Sequence, residues 1–151
     1  MFKKILVCLD GSELAEKVLP YIADEADHTK ASIILFQAVP EPVIFSPGLP
    51  GVPPVPIESE ALIKQTQQAE ATAASYLETV ALRLRKRGLK VETATATGGA
   101  GQAITAYAEN NSIDLIAMAT HGRGGIGRAV FGSVADYVLR ESRLPILIIK
   151  P

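Results

Sequence analysis

The chain has 151 residues, with 15 basic and 16 acidic side chains and a formal net charge of −1. This near-neutral balance gives no electrostatic support for nucleic acid or an anionic membrane as the main partner. The length predicts one domain over residues 1–151, large enough to bury roughly 68–70% of the surface that the unfolded chain exposes.

Cysteine usage and hydropathy indicate the cellular compartment. The single cysteine, Cys8, cannot form a disulfide within the chain, which favours a reducing compartment. No apolar run approaches the ~18 residues of a membrane span, and the first residues lead into a short strand rather than the longer apolar stretch of a signal peptide. We therefore expect a cytoplasmic protein, with Cys8 as an inert core residue.

Strand-like and helix-like segments alternate along the chain. Apolar runs predict buried strands at residues 5–9, 32–38, 115–119 and 146–149, and an alternating pattern predicts a half-exposed strand at 90–95. Helices are predicted between them at residues 13–26, 58–87, 102–111 and 133–142. This alternation predicts parallel βαβ units joined by right-handed crossovers.

A proline-rich insertion, residues 40–57, interrupts this order and holds seven of the ten prolines. Proline lacks an N–H group and fixes φ, which excludes a helix or a central strand here. The segment is either a flexible excursion or a functional flap. Its apolar residues favour a packing partner, such as the mouth of a binding site or another chain; they are Val43, Ile44, Phe45 and Leu49.

The segment 119–133 is a glycine loop between a predicted strand and a predicted helix, and it holds five of the twelve glycines. Glycine lets a ligand approach the backbone N–H groups closely, and the first N–H groups of a helix lie at the positive end of its dipole. The loop therefore predicts an anion site, and a phosphate group fits it best.

The loop has a specific spacing, in which Gly122 is followed by nine residues and then by Gly132 and Ser133. It resembles the nucleotide-binding motif of the universal stress protein family, G-x-x-G-(nine residues)-G-S/T, with Ala119 in place of the first glycine. The resemblance covers the whole chain, through K-K-I-L-V-C-L-D-G-S-E, I-D-L-I-A-M-A-T-H-G-R-G-G and G-S-V-A-D-Y-V-L-R-E-S-R-L-P-I-L-I-I-K.

The resemblance implies a fold and a site. The fold is a five-stranded parallel open sheet with helices on both faces, adenine-nucleotide alpha-hydrolase-like (Rossmann-like), with strand order 3-2-1-4-5. In such sheets the ligand lies at the carboxyl ends of the strands, where the strand order reverses. The aspartate matching Asp10 then lies beside the nucleoside, the backbone near Ala38 and Val39 contacts the base, and the glycine loop with Ser133 holds the phosphates.

The predicted nucleotide site contains residues from three loops, and none is assigned to catalysis or to direct metal binding. They are Leu9, Asp10, Gly11, Ser12, Ala38, Val39, Ala119, Thr120, His121, Gly122, Arg123, Gly125, Arg128, Gly132, Ser133 and Val134. Arg123 and Arg128 could screen phosphate charge, although exposed arginines beside a loop are common.

Three of these residues have simpler structural interpretations. Asp10 could form an Asx turn or cap the first helix instead of contacting a nucleoside. Ser133 could cap the last helix in a capping box completed by Asp136, which is compatible with phosphate contact. His121 has no neighbouring carboxylate in sequence to orient it as an acid or base, so a structural hydrogen bond is favoured.

The effect of Ala119 depends on its backbone. With a negative φ, its methyl group only crowds the ligand, whereas a positive φ would add roughly 1–2 kcal/mol of strain and weaken binding about tenfold or somewhat more. Glycine at this position would then strengthen binding.

We expect a module that binds ATP or another adenine nucleotide, with Mg²⁺ carried by the phosphates, and signals occupancy to partners in a stress response. The sequence has no P-loop lysine motif, so catalysis is at most slow ATP hydrolysis. A homodimer is expected through the edge strand 146–149. The alternative is a nucleotide-free interaction module of the same fold, and the weakest hypothesis is a related adenylate-forming or hydrolytic enzyme.

Overall fold

The computed structural model describes residues 1–120 and 132–150. Its strands, in chain order, are β1 (Lys4–Cys8), β2 (Ser32–Val39), β3 (Ile44–Phe45), β4 (Pro56–Ile57), β5 (Val91–Thr97), β6 (Leu115–Ala119) and β7 (Ile146–Ile149). Its helices are α1 (Glu13–Glu16), α2 (Leu19–Thr29), α3 (Glu60–Arg85), α4 (Ala100–Asn110) and α5 (Ser133–Glu141).

Five strands form one parallel sheet in the order β5-β2-β1-β6-β7. Counted along the chain within this sheet, the order is 3-2-1-4-5, as predicted. Strand β1 lies in the centre, where Val7 is opposite Leu35 of β2 on one side and Ala117 of β6 on the other. The strand order therefore reverses at β1, which places a ligand crevice at its carboxyl end.

Two apolar cores cover the two faces of the sheet, because successive side chains of a strand point to opposite faces. Ile5 and Val7 are fully buried on the face that packs against α2 and α3. Leu6 is fully buried on the other face, which packs against α4 and α5. A sheet covered on both faces explains why its central strands read as continuous apolar runs.

The predicted helix 13–26 is two helices, and the reason is Pro20. Proline at the second position of α2 has no N–H to donate to the carbonyl of Glu16, so the helix cannot continue through it. Lys17 and Val18 instead bond three residues back, to Leu14 and Ala15. The other predicted helices are present, with ends that differ by one or two residues.

The proline-rich insertion contains a small antiparallel hairpin, β3 paired with β4, which sequence analysis did not predict. Ser46 donates its N–H to the carbonyl of Val55 at 2.9 Å and extends the pairing by one step. Prolines are tolerated because neither edge of this two-stranded sheet pairs with another described strand, so the missing N–H groups can face outward.

Strands β5 and β7 form the two edges of the main sheet. The strand 146–149 was predicted both as a buried run and as a sheet edge. Its four residues are only half-buried, and one side of β7 has no neighbouring strand among the described residues. Strand β5 is half-exposed, as predicted. None of the described helices combines the length and the apolar character needed to cross a membrane.

Candidate functional site

A cavity of about 330 Å³ lies at the carboxyl ends of β1, β2 and β6. Its remaining walls come from the first turns of α1, α4 and α5. Its volume falls within the range typical of small-molecule sites. The cavity is therefore located where the reversal of strand order predicts a ligand.

Eight of the sixteen predicted site residues line this cavity: Leu9, Asp10, Ala38, Ala119, Thr120, Gly132, Ser133 and Val134. Three others are nearby but do not line it: Gly11, Ser12 and Val39. The remaining five lie outside the described residues: His121, Gly122, Arg123, Gly125 and Arg128.

Asp10 forms the Asx turn that was one of its two predicted roles. Its Oδ1 accepts hydrogen bonds from the N–H of Ser12 at 2.9 Å and from the hydroxyl of Ser12 at 2.6 Å. Ser12 in turn caps α1 by accepting a bond from Ala15 N–H at 3.1 Å. Both bonds use Oδ1, and Oδ2 of Asp10 has no hydrogen-bond partner among the described residues, so the turn is compatible with a ligand contact.

The end of β2 presents free backbone groups at Ala38. Ser32 donates its N–H to Lys3 on the β1 side, and peptide groups alternate sides along the strand, so Ala38 also faces the β1 side. The pairing with β1 has ended there, with the N–H of Leu9 bonded to the carbonyl of Phe36. Ala38 is opposite Ala96 of β5, but its own N–H and C=O face away from that strand and have no hydrogen-bond partner among the described residues. One donor and one acceptor thus stand at the cavity wall.

Val39 differs from Ala38 because its N–H and C=O face β5 instead of β1. Its carbonyl accepts the N–H of Gly98 at 3.0 Å. Its side chain is buried in the core. The geometry therefore offers Ala38, and not the Val39 carbonyl, to a ligand at this strand end.

Helix α5 begins at Ser133, with Gly132 as its N-cap residue, so the predicted capping box is wrong. Gly132 has extended backbone angles, φ −54° and ψ 158°, and its carbonyl already accepts the N–H of Asp136 at 2.9 Å. Ser133 thus lies inside the first turn, where its side chain cannot cap. The Asp136 carboxylate pairs instead with Arg140 at 3.1 Å.

The N-terminus of α5 therefore receives no side-chain cap from the described residues. The first N–H groups of a helix have no partner within the helix and carry the positive end of its dipole. Gly132, Ser133 and Val134 all line the cavity. This end of the cavity is suited to an anion.

Thr120 adds a buried hydroxyl to the same cavity. Its residue is only 3% exposed, and Oγ1 has no hydrogen-bond partner in the part of the chain that the structure describes. Its backbone is fixed by an N–H bond to the carbonyl of Ile149 at 3.0 Å. Leaving a buried hydroxyl unpaired costs about 1–3 kcal/mol, which a ligand oxygen could offset.

Ala119 belongs to β6, and among the described non-glycine residues only Lys30 and Ser112 have a positive φ. The strained alternative for Ala119 is therefore wrong, because a strand residue has the negative φ that alanine adopts freely. Its methyl group can only crowd a ligand.

The close packing of α5 against the neighbouring helix α4 depends on Gly101. A Cβ placed on Gly101 would lie 2.5 Å from Cδ1 of Tyr137, closer than any normal contact. The role of Gly101 was not predicted from the sequence, because a glycine near the start of a helical pattern is typical of a loop as well as of a close contact.

Three further residues of the cavity wall were not predicted from the sequence, although the alternation of side chains along a strand places them on the same face as predicted site residues. Cys8, Phe36 and Met118 each stand two positions before a predicted site residue and share its face. Burial raises the pKa of the Cys8 thiol to about 12, so at neutral pH it is a protonated, weakly nucleophilic wall residue. No group of three or more metal-ligating side chains occurs within residues 1–120 and 132–150.

Comparison with known proteins gives a whole-chain family match. The model of the universal stress protein family matches residues 1–150. A universal stress protein of Thermus aquaticus is 32% identical over 151 residues, covering 99% of this chain and 100% of the relative.

Two similar solved structures contain adenosine monophosphates. A universal stress protein in complex with cAMP superposes with a TM-score of 0.68 at 19% identity, over 99% of this chain and 97% of the other. A universal stress protein family protein from Arabidopsis thaliana with AMP bound superposes with a TM-score of 0.65 at 14% identity, over 98% and 91%. At these identities the likeness establishes the shared fold.

Proposed function

Because the chain belongs to the universal stress protein family, we propose that it binds an adenine nucleotide in the cavity at the end of β1 and signals its occupancy to partners in a stress response. One observation carries this proposal: three kinds of polar group that have no hydrogen-bond partner among residues 1–120 and 132–150 converge on one cavity. They are the backbone of Ala38, the buried hydroxyl of Thr120 and the uncapped N-terminus of α5.

The arrangement of these groups suggests an orientation for the ligand. The donor and acceptor of Ala38 complement the donor and acceptor edge of adenine, and Asp10 Oδ2 suits a ribose hydroxyl. The N-terminus of α5 and the Thr120 hydroxyl suit phosphate oxygens. Two solved proteins of this fold contain cAMP and AMP, which supports an adenine nucleotide as the ligand.

The proposal extends to ATP, with Mg²⁺ bound through its phosphates rather than by protein ligands. The glycine-loop residues predicted to contribute to the phosphate site lie outside the described residues; they are Gly122, Arg123, Gly125 and Arg128. We assign no catalytic residue, and expect at most slow hydrolysis. We also propose a cytoplasmic location and a homodimer that pairs β7 with its symmetry mate.

The direct experiment is mass spectrometry of small molecules released from purified, denatured protein, followed by calorimetry with ATP, ADP, AMP and cAMP. A released adenine nucleotide and micromolar affinity for at least one of the four would support the proposal. Absence of released nucleotide, together with no detectable heat at millimolar concentrations of all four, would contradict it.

A nucleotide-free interaction module is the second candidate, because Ala119 crowds the cavity and apolar side chains of the proline-rich insertion are exposed. The same calorimetry separates the two functions. Occupancy that changes binding of a partner would favour the first, and partner binding by a protein that no nucleotide enters would favour the second.

A further inference from the structure

The hairpin β3–β4 carries an exposed apolar surface that no described element covers. Val43 is 57% exposed, Ile44 52% and Phe45 55%. No residue between positions 42 and 57 is charged. Contiguous exposed apolar surface rimmed by polar residues is characteristic of interaction sites, so the hairpin is a candidate interface.

The outer edge of β3 is open for strand pairing. Ser46 directs its N–H toward β4, and the paired residue Ile44 does the same two positions earlier. Peptide groups alternate sides, so Val43 and Phe45 direct their N–H and C=O groups away from β4. Neither has a backbone partner among the described residues.

The outer edge of β4 is closed to pairing by its prolines. Val55 and Ile57 face β3, so the outward positions of this strand are Pro54 and Pro56. Both lack the N–H group that a neighbouring strand would need. An incoming strand can therefore pair with β3 and not with β4.

We propose that β3 pairs in antiparallel orientation with β3 of a second copy of this chain, around a two-fold axis at Ile44. Val43 of each copy then exchanges two hydrogen bonds with Phe45 of the other, and the two Ile44 residues face one another. A valine opposite a phenylalanine is a favourable cross-strand pair. The two hairpins become one four-stranded sheet, which is more stable than isolated two-stranded hairpins.

Charge favours a second copy over a lipid surface. The hairpin is neutral, so two copies meet without repulsion, and the two-fold register places Glu41 opposite Pro47 rather than opposite another carboxylate. The residues flanking the hairpin are acidic, Glu41, Glu58 and Glu60. Anionic membranes attract basic segments and repel such a patch.

This interface is separate from the proposed β7 dimer, because β3 and β7 belong to different sheets. A chain with two independent isologous interfaces assembles beyond two copies. The hairpin interface therefore predicts association that survives disruption of β7.

A cysteine at position 44 tests the two-fold axis directly. Facing residues of a non-hydrogen-bonded antiparallel pair have Cα atoms about 4.5 Å apart, within the span of a disulfide. In a Cys8→Ala background, Ile44→Cys should form covalent dimers under mild oxidation. Leu49→Cys is the matched control, because this residue is 72% exposed but lies at the hairpin turn. Equal cross-linking of both variants, or none at position 44, would overturn the proposal.

Proline at position 45 tests the hydrogen bonds. In an Ile148→Lys background, Phe45→Pro removes two symmetry-related N–H donors that the hairpin itself does not use, whereas Phe45→Val removes the ring and keeps the donors. Sedimentation should show association at least about tenfold weaker for the proline variant than for the valine variant. Equally strong association of the proline and valine variants would overturn the pairing. It would also be overturned if the Ile148→Lys protein without a change at position 45 were monomeric at every concentration.

Discussion

Gly132 offers a sharp test of the candidate site, because its backbone does not require glycine. Its φ of −54° and ψ of 158° are open to any residue, and an added Cβ would have no described atom within 4 Å. Gly132→Ala lowers the entropy of the unfolded chain but gives a poorer N-cap, and these effects nearly cancel. We expect a change in unfolding free energy within about 0.5 kcal/mol, or roughly 1–2 °C in Tm.

Nucleotide affinity should respond much more strongly than stability. The methyl group of Gly132→Ala would occupy the space through which a phosphate oxygen approaches the N-terminus of α5. Loss of one charge-assisted hydrogen bond, worth roughly 1.5–3 kcal/mol, weakens binding roughly 10- to 150-fold. Calorimetry with ATP and Mg²⁺ measures the affinity, and thermal unfolding of the nucleotide-free protein measures the stability.

Gly88 provides the matched control, because there the backbone does require glycine. Its φ is +84°, and an added Cβ would again meet nothing. Gly88→Ala should cost about 1–2 kcal/mol of stability and leave affinity unchanged, since Gly88 does not line the cavity. A folded Gly132→Ala protein that binds nucleotide as tightly as the wild type would refute the placement of the phosphate.

Thr120→Val should stabilise the nucleotide-free protein by about 1–3 kcal/mol and weaken nucleotide binding about tenfold or more; a loss of stability would contradict the unpaired hydroxyl. Gly101→Ala should destabilise by about 1–3 kcal/mol, and Tyr137→Ala should suppress that loss in a double-mutant cycle. Ala119→Gly should change affinity less than tenfold while costing about 0.5–1 kcal/mol of strand stability, and a larger gain in affinity would show that the methyl group blocks the ligand. Light scattering at micromolar concentration should give at least twice the 16.0 kDa chain mass, and Ile148→Lys should lower it; a monomeric wild type would exclude the β7 dimer.

Periodicity predicts most of the fold, because this sheet is covered on both faces. Continuous apolar runs identified its central strands, and their alternation with helical patterns identified the parallel topology. The break before α2 was missed although Pro20 is visible in the sequence, since proline is tolerated in a first turn and only the structure shows that a new helix begins there. The hairpin was missed because two-residue strands have no period.

The site was predictable where it depends on chain topology and unpredictable where it depends on single backbone angles. The reversal of strand order brought Asp10, Ala38 and Thr120 to one cavity, as expected from a parallel sheet. The start of α5 was misjudged because Gly132 and Ser133 are both acceptable N-cap residues. Only ψ at Gly132 decides between them, and it leaves the serine free of the capping role.

The unpaired groups of the cavity bear differently on the two candidate functions. In a nucleotide-free module, valine in place of Thr120 would raise the free energy of unfolding by about 1 kcal/mol or more. Serine in place of Gly132 would raise it by a few tenths of a kcal/mol. Both costs fall on one cavity, and a bound phosphate would offset both at once, since its oxygens accept from the hydroxyl and from the helix N–H groups. Unsatisfied hydrogen-bonding and capping groups that cluster at one place in an otherwise well-packed core are characteristic of a binding site. The combined variant with Thr120→Val and Gly132→Ser should therefore be more stable than the wild type without nucleotide, and nucleotide should raise its Tm less than that of the wild type.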